Sequence, residues 1–105
     1  MLPELAASAT VVEVASSKVG VQVAGIPDQL VTKLAGMIAE AMAGVGIAVS
    51  ETRIAINSRT LDAGGLLKTI QAAVGGKGGG SPKAAHGSLG QAVTADELAA
   101  ILKAG

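Results

Sequence analysis

The segment Gly75-Gly76-Lys77-Gly78-Gly79-Gly80-Ser81-Pro82-Lys83-Ala84-Ala85-His86-Gly87 constrains this chain more than any other stretch. Without Cβ atoms the backbone there can take positive φ, and another chain can approach its amides closely. Ser81-Pro82 reads as an N-cap followed by a first-turn proline, so a glycine-rich loop leading into a short helix is expected. Such a loop offers free N–H groups and a positive helix end to an anion, phosphate above all, with Lys77 and Lys83 on either side. A flexible Gly-Ser linker is the other reading. Two lysines and an immediate return to an Ala-rich turn speak against a linker, but glycine richness alone does not separate the two.

The 105 residues make one small domain, able to close a single core without staples. Half of them are apolar and none is aromatic, so the core must be built from Val, Ile, Leu, Ala and Met. Cysteine is absent, which excludes disulfides and thiolate metal sites. The one histidine, His86, has few carboxylates near it in sequence; a zinc site or a Ser-His-Asp triad is not expected, and no metal or cofactor is implied. No apolar run approaches the roughly 20 residues of a membrane span. Met1-Leu2-Pro3-Glu4 lacks a basic n-region, so it does not read as a signal peptide. A soluble cytoplasmic domain is the expectation.

The zero net charge conceals an asymmetry. Residues 1–52 set Lys18 and Lys33 against Glu4, Glu13, Asp28, Glu40 and Glu51, whereas residues 53–86 set Arg53, Arg59, Lys68, Lys77 and Lys83 against Asp62 alone. Positive charge thus gathers around the glycine segment, where an anion site would want it. The excess is still small for a domain that grips long nucleic acid by electrostatics alone, and any one of these residues also reads as ordinary solvated surface charge.

The periodicities predict a mixed sheet covered by helices. Thr10 to Ala15 and Val19 to Ala24 are β-branched runs joined through Ser16-Ser17-Lys18, with Val19, Val21 and Val23 on one face. Ile26-Pro27-Asp28 opens a helix carrying Leu30, Val31, Leu34, Met37, Ile38, Ala41 and Met42 on its apolar side, with Gln29, Thr32, Lys33 and Glu40 opposite, ending near Gly44. Val45 to Val49 and Arg53 to Ser58 read as two more strands, Ile54 and Ile56 facing one way and Arg53, Ala55 and Asn57 the other. Asp62 is a candidate N-cap for a helix burying Leu66, Leu67, Ile70, Ala73 and Val74 and terminated by Gly75. Thr94-Ala95-Asp96-Glu97 is a capping box for a last helix with Leu98, Ile101 and Leu102 inside. The order is β-β-α-β-β-α-loop-α, an α/β class.

Asp62-Ala63-Gly64-Gly65-Leu66-Leu67-Lys68 followed by Val74 to Gly87 resembles the DHHA1 domain, found in alanyl-tRNA synthetases and in DHH phosphoesterases, including RecJ-type nucleases. Gly75-Gly76-Lys77-Gly78-Gly79-Gly80, Pro82 and Ala63-Gly64 lean towards the synthetase pattern; Ile56-Asn57-Ser58-Arg59 and Ala84-Ala85 lean towards the phosphoesterases. The resemblance covers residues 19–105, leaving 1–18 as an N-terminal segment with the first strand. Ser81 stands where the synthetases carry arginine and the phosphoesterases histidine, and His86 stands where the synthetases have glutamine, so a charged ligand contact is missing at Ser81.

What the resemblance implies is a non-catalytic module that binds the backbone of tRNA, other RNA or single-stranded DNA, without the catalytic domains of either family. Gly76, Lys77, Gly78, Gly79, Gly80 and Ser81 would hold phosphates, with Lys83, Arg59 and His86 beside them; Gly79→Val would harm binding more than Lys77→Ala or Lys83→Ala, because a β-branched side chain disfavours positive φ and blocks phosphate from the amides. With no aromatic ring, base stacking contributes nothing and sequence preference is weak. The alternatives are a substrate-clamping or partner-docking subunit for a DHH-type or synthetase catalytic partner, or an Ala/Gly-rich oligomerisation unit, a homo-oligomer included.

Overall fold

The computed structural model describes residues 6–14 and 16–104. Ala15, expected to end the first strand, and the segment Met1 to Glu4 lie outside the described residues. The elements run β1 (Thr10–Val14), β2 (Ser17–Val23), α1 (Asp28–Met42), β3 (Val45–Ser50), β4 (Arg53–Ser58), α2 (Ala63–Val74), β5 (Gly76–Gly80), β6 (Ala84–Leu89) and α3 (Ala95–Ala104). The strands form one mixed six-stranded sheet in the order β1-β2-β3-β4-β6-β5. Only β2 and β3 are parallel, joined across α1; the other neighbours are antiparallel.

This is the expected α/β class and mixed sheet, with one correction. Residues 75–87 are not a loop entering a helix: they form most of the β5–β6 hairpin, and Ser81-Pro82-Lys83 is its turn. Three observations explain the outcome. The edge of β4 needs a partner, and β6 supplies it over Ala84–Ser88. Ala85 and Leu89 are buried in the core, which a surface loop could not achieve. The turn closes on main-chain bonds, Ser81 N–H donating to the Ala84 carbonyl at 2.8 Å.

Period-two alternation sorts the strands into two cores. Val12, Val19, Val21, Val45, Ile47, Val49, Ile54 and Ile56 face α2 and α3, meeting Leu67, Ile70, Leu98 and Leu102. On the other face Ala48 and Ala55 meet Val31, Leu34, Ala35 and Ile38 of α1. Two expected core positions fall outside: Ala41 and Ala73, in the last turns of α1 and α2, are exposed, while Met42 and Val74 beside them pack against the two cores. Helix ends follow the expected chemistry in part. Ala43 takes the left-handed C-cap of α1 (φ 51°), and Gly75 caps α2 (φ 80°). Thr94 and Glu97 close their capping box with bonds of 3.1 Å in both directions. Asp62 holds the N-cap position of α2, but its side chain makes no cap bond. The hairpin turn does that work: Ala63 N–H donates to the Pro82 carbonyl (2.9 Å) and Gly64 N–H to that of Ser81 (3.2 Å).

Candidate functional site

The two faces of the sheet are unequally covered, and the inequality makes the site. On one face α3 lies against β1 and β2 while α2 lies against β4, β6 and β5; on the other, α1 packs on β2, β3 and β4. Among the described residues no element therefore packs on the α1 side of β6 and β5. Register then decides which side chains stand there. Arg53 pairs with Ser88 and Ser88 with Lys77, giving one row across three strands; Ala55, His86 and Gly79 make the next. Partners in such a row share a face, with Cβ atoms roughly 5 Å apart.

These rows and the first turns of α1 wall a cleft of about 560 Å³, lined by Asp28, Gln29, Thr32, Arg53, Lys77 and His86 among others. Its floor is strand backbone at Gly78, Gly79 and Gly87. Arg53 reaches the Asp28 carboxylate at 3.5 Å, with both side chains more than half exposed, so the pair is solvated and contributes little to stability. Among the described residues Lys77 pairs with no carboxylate. The cleft thus offers two cations, an imidazole, two hydroxyls (Thr32, Ser88) and the Gln29 amide to an anionic, hydrogen-bonding ligand. Among the described residues no three His, Cys, Asp or Glu side chains gather to hold a metal ion.

The residues named from sequence do not converge on one point. Lys77, Gly78, Gly79 and His86 line the cleft. Arg59 and Lys83 stand at the opposite end of the sheet, around a shallow depression shared with Thr60, Leu61 and Pro82. Ser81 is committed to its turn, its Oγ accepting from Ala84 N–H at 3.3 Å. Gly76 and Gly80 lie in β5, and Gly80 borders a separate groove of about 320 Å³ beside α2. The free helix N-terminus expected at Ser81 is absent, and the turn's carbonyls occupy the first N–H groups of α2 instead. Sequence reasoning missed Arg53, Ser88, Gln29 and Thr32 as partners of Lys77. The alternation Arg53-Ala55-Asn57 already carried half the signal; the other half is the β4–β6 register.

No helix among the described residues is long and apolar enough to cross a membrane. The family model of the DHHA1 domain matches residues 8–104. Among solved structures, the fold is similar to that in the crystal structure of an uncharacterized protein from Helicobacter pylori G27, with a TM-score of 0.63 and 14% identity. That match covers 90% of this chain and 28% of the other, so the chain spans less than a third of that protein's length. No curated protein matches the sequence. On the family match over nearly its whole length, the chain belongs to the DHHA1 domain family.

Proposed function

We propose that the domain is a non-catalytic module that holds the sugar-phosphate backbone of RNA, tRNA included, or of single-stranded DNA in the cleft between α1 and the β6–β5 hairpin. The observation that carries this reading is the row Arg53–Ser88–Lys77, which sets two cations on either side of a hydroxyl along the sheet face beside the first turns of α1. Phosphate oxygens are acceptors, and Lys77, Arg53, Ser88 and Thr32 supply donors to them. Affinity then comes from charge and backbone contacts, and sequence preference is weak because no aromatic ring is present to stack on bases.

A salt titration of binding to a labelled tRNA and to oligo-dT tests the site. With about 3 phosphates neutralised, log affinity falls against log salt with a slope of roughly −2. Lys77→Ala weakens binding to both ligands and flattens that slope by somewhat less than 1, whereas Arg59→Ala and Lys83→Ala, at the far end of the sheet, do less. Parent-like binding by Lys77→Ala removes the cleft as the site.

The cleft's size favours a second reading. About 560 Å³ holds one or two nucleotides rather than a long strand. The same cations would then clamp the phosphate of a short substrate for a DHH-type or synthetase catalytic partner. A dinucleotide that competes as well as a 20-mer supports the clamp; a strong length dependence supports the strand-binding module.

A further inference from the structure

The sheet ends on β5, and the character of that edge is distinct from the cleft. The bonds framing the hairpin, Gly90 N–H to the Gly75 carbonyl (3.0 Å) and Ser81 N–H to that of Ala84 (2.8 Å), fix the phase of the ladder. In an antiparallel pair alternate residues direct both polar groups at the partner strand. Lys77 and Gly79 therefore bond to β6, and Gly76, Gly78 and Gly80 turn their N–H and carbonyl groups outward. Every residue of β5 is exposed, and among the described residues no strand pairs with its outer side. Beside this edge runs α2, and the groove between them, about 320 Å³, is lined by Asp62, Gly64, Lys68 and Gln71 together with Gly78 and Gly80.

We propose that this edge is a second binding site, which takes an extended acidic peptide segment of a partner protein as a seventh strand lying along β5 in the groove beside α2. A strand edge flanked by a helix is one of the recurring ways in which proteins bind extended peptides. The main chain selects the class of ligand. Outward donors alternate with outward acceptors at Gly76 and Gly78, which a peptide strand pairs completely. A phosphodiester has acceptors only and would face the carbonyls unpaired.

Charge selects the kind of peptide. Lys77 projects on the α1 side of the edge and Lys68 lines the groove on the α2 side, with Asp62 the one carboxylate among the groove's lining residues, so away from Asp62 acidic side chains find a cation on either face of the added strand. Two copies joined through this edge would instead bring Lys68 and Lys77 of one beside Lys68 and Lys77 of the other. A lysine on an exposed edge is a common guard against such self-pairing.

The test uses the unmodified protein and a labelled, acetylated and amidated hexapeptide of alternating Glu and Val. Anisotropy gives the affinity, and amide hydrogen exchange by NMR gives the position. Two further peptides are N-methylated on the Glu or on the Val residues only. Strand addition predicts that one of the two binds about tenfold or more weakly while the other keeps most of its affinity, since only every second amide faces β5. It also predicts slowed exchange at Gly76, Gly78 and Gly80, and roughly three- to fivefold weaker binding by Lys68→Glu, a residue outside the nucleic-acid cleft. Equal binding by both methylated peptides, or unchanged exchange at those amides, overturns the proposal. So does a dimer of the free protein in sedimentation that already protects Gly78, which makes a second copy the occupant. Protection of the same amides by oligo-dT overturns it in favour of nucleic acid.

Discussion

On the side covered by α2 and α3, the central strands present Val19, Val21, Val45, Ile47, Val49, Ile54 and Ile56; on the side covered by α1, the same strands present Gly20, Gly46, Ala48 and Ala55. The first set fills a thick core with branched side chains. The second gives up side-chain volume, and α1 comes down almost onto the strand backbone. The two faces therefore draw stability from different sources, side-chain burial on one and close backbone packing on the other. A thin, narrow layer has a further consequence. One helix covers β2, β3 and β4, and among the described residues no element packs on β6 and β5 on that side, which is where the cationic cleft opens.

If burial dominates the first face, Ile54→Ala should be the costlier kind of change. Ile54 is 0% exposed and sits among Ile47, Ile56 and Leu67, so truncation leaves a cavity worth roughly 2–5 kcal/mol of stability. Urea unfolding followed by circular dichroism measures it. A loss below about 1 kcal/mol would mean that this core collapses around the gap, and that the contrast between the faces is overstated.

The second face breaks by addition. A Cβ at Gly46 would run into the Ala35 carbonyl and lie 2.5 Å from Ala39 N and 2.9 Å from Ile38 Cβ. The first two are helix backbone, which cannot rotate aside, so Gly46→Ala should cost roughly 1–3 kcal/mol by overpacking although it adds apolar surface. The unfolding measurement used for Ile54→Ala decides this too. A neutral Gly46→Ala would show that α1 can lift off the sheet, and the α1 side would then be no more than an ordinary packed layer.

How much of this was legible in the sequence follows the same division. β1 to β4 and the three helices show the alternation and helical periods that one-sided burial imposes, and the Thr94–Glu97 box forms as its spacing says. Residues 75–87 carry no such pattern. Glycine is depleted in strands, and Gly-Lys-Gly-Gly-Gly has no alternating apolar face, so its strand state comes from the open edge of β4 and from burial of Ala85 and Leu89, both long-range effects. The site was half legible for the same reason. Lys77 and His86 belong to the motif, but their neighbours Arg53 and Ser88 join them only through the β4–β6–β5 register.

Within that hairpin the glycines are not equivalent, and the smallest predicted effect is the sharpest check on it. Were the segment a phosphate loop with positive φ at Gly79, a side chain there would be strained and would block the amides. In the hairpin it stands outside the positive-φ set and its Cβ would meet nothing within 4 Å, since it points into the open cleft. Gly78 beside it has φ 152° and would push a Cβ to 2.6 Å from Gly87 Cα and the His86 carbonyl. Gly78→Ala should therefore cost roughly 1–3 kcal/mol, whereas Gly79→Ala should stay within about 0.5 kcal/mol of the parent. Gly79→Ala also adds a methyl to the cleft floor without touching any charge, so RNA or oligo-dT affinity would report on steric access alone. A clear loss of binding with unchanged stability places the backbone ligand directly over β5. Destabilisation by Gly79→Ala as large as that by Gly78→Ala would break the hairpin register itself, and with it the row of side chains on which the cleft depends.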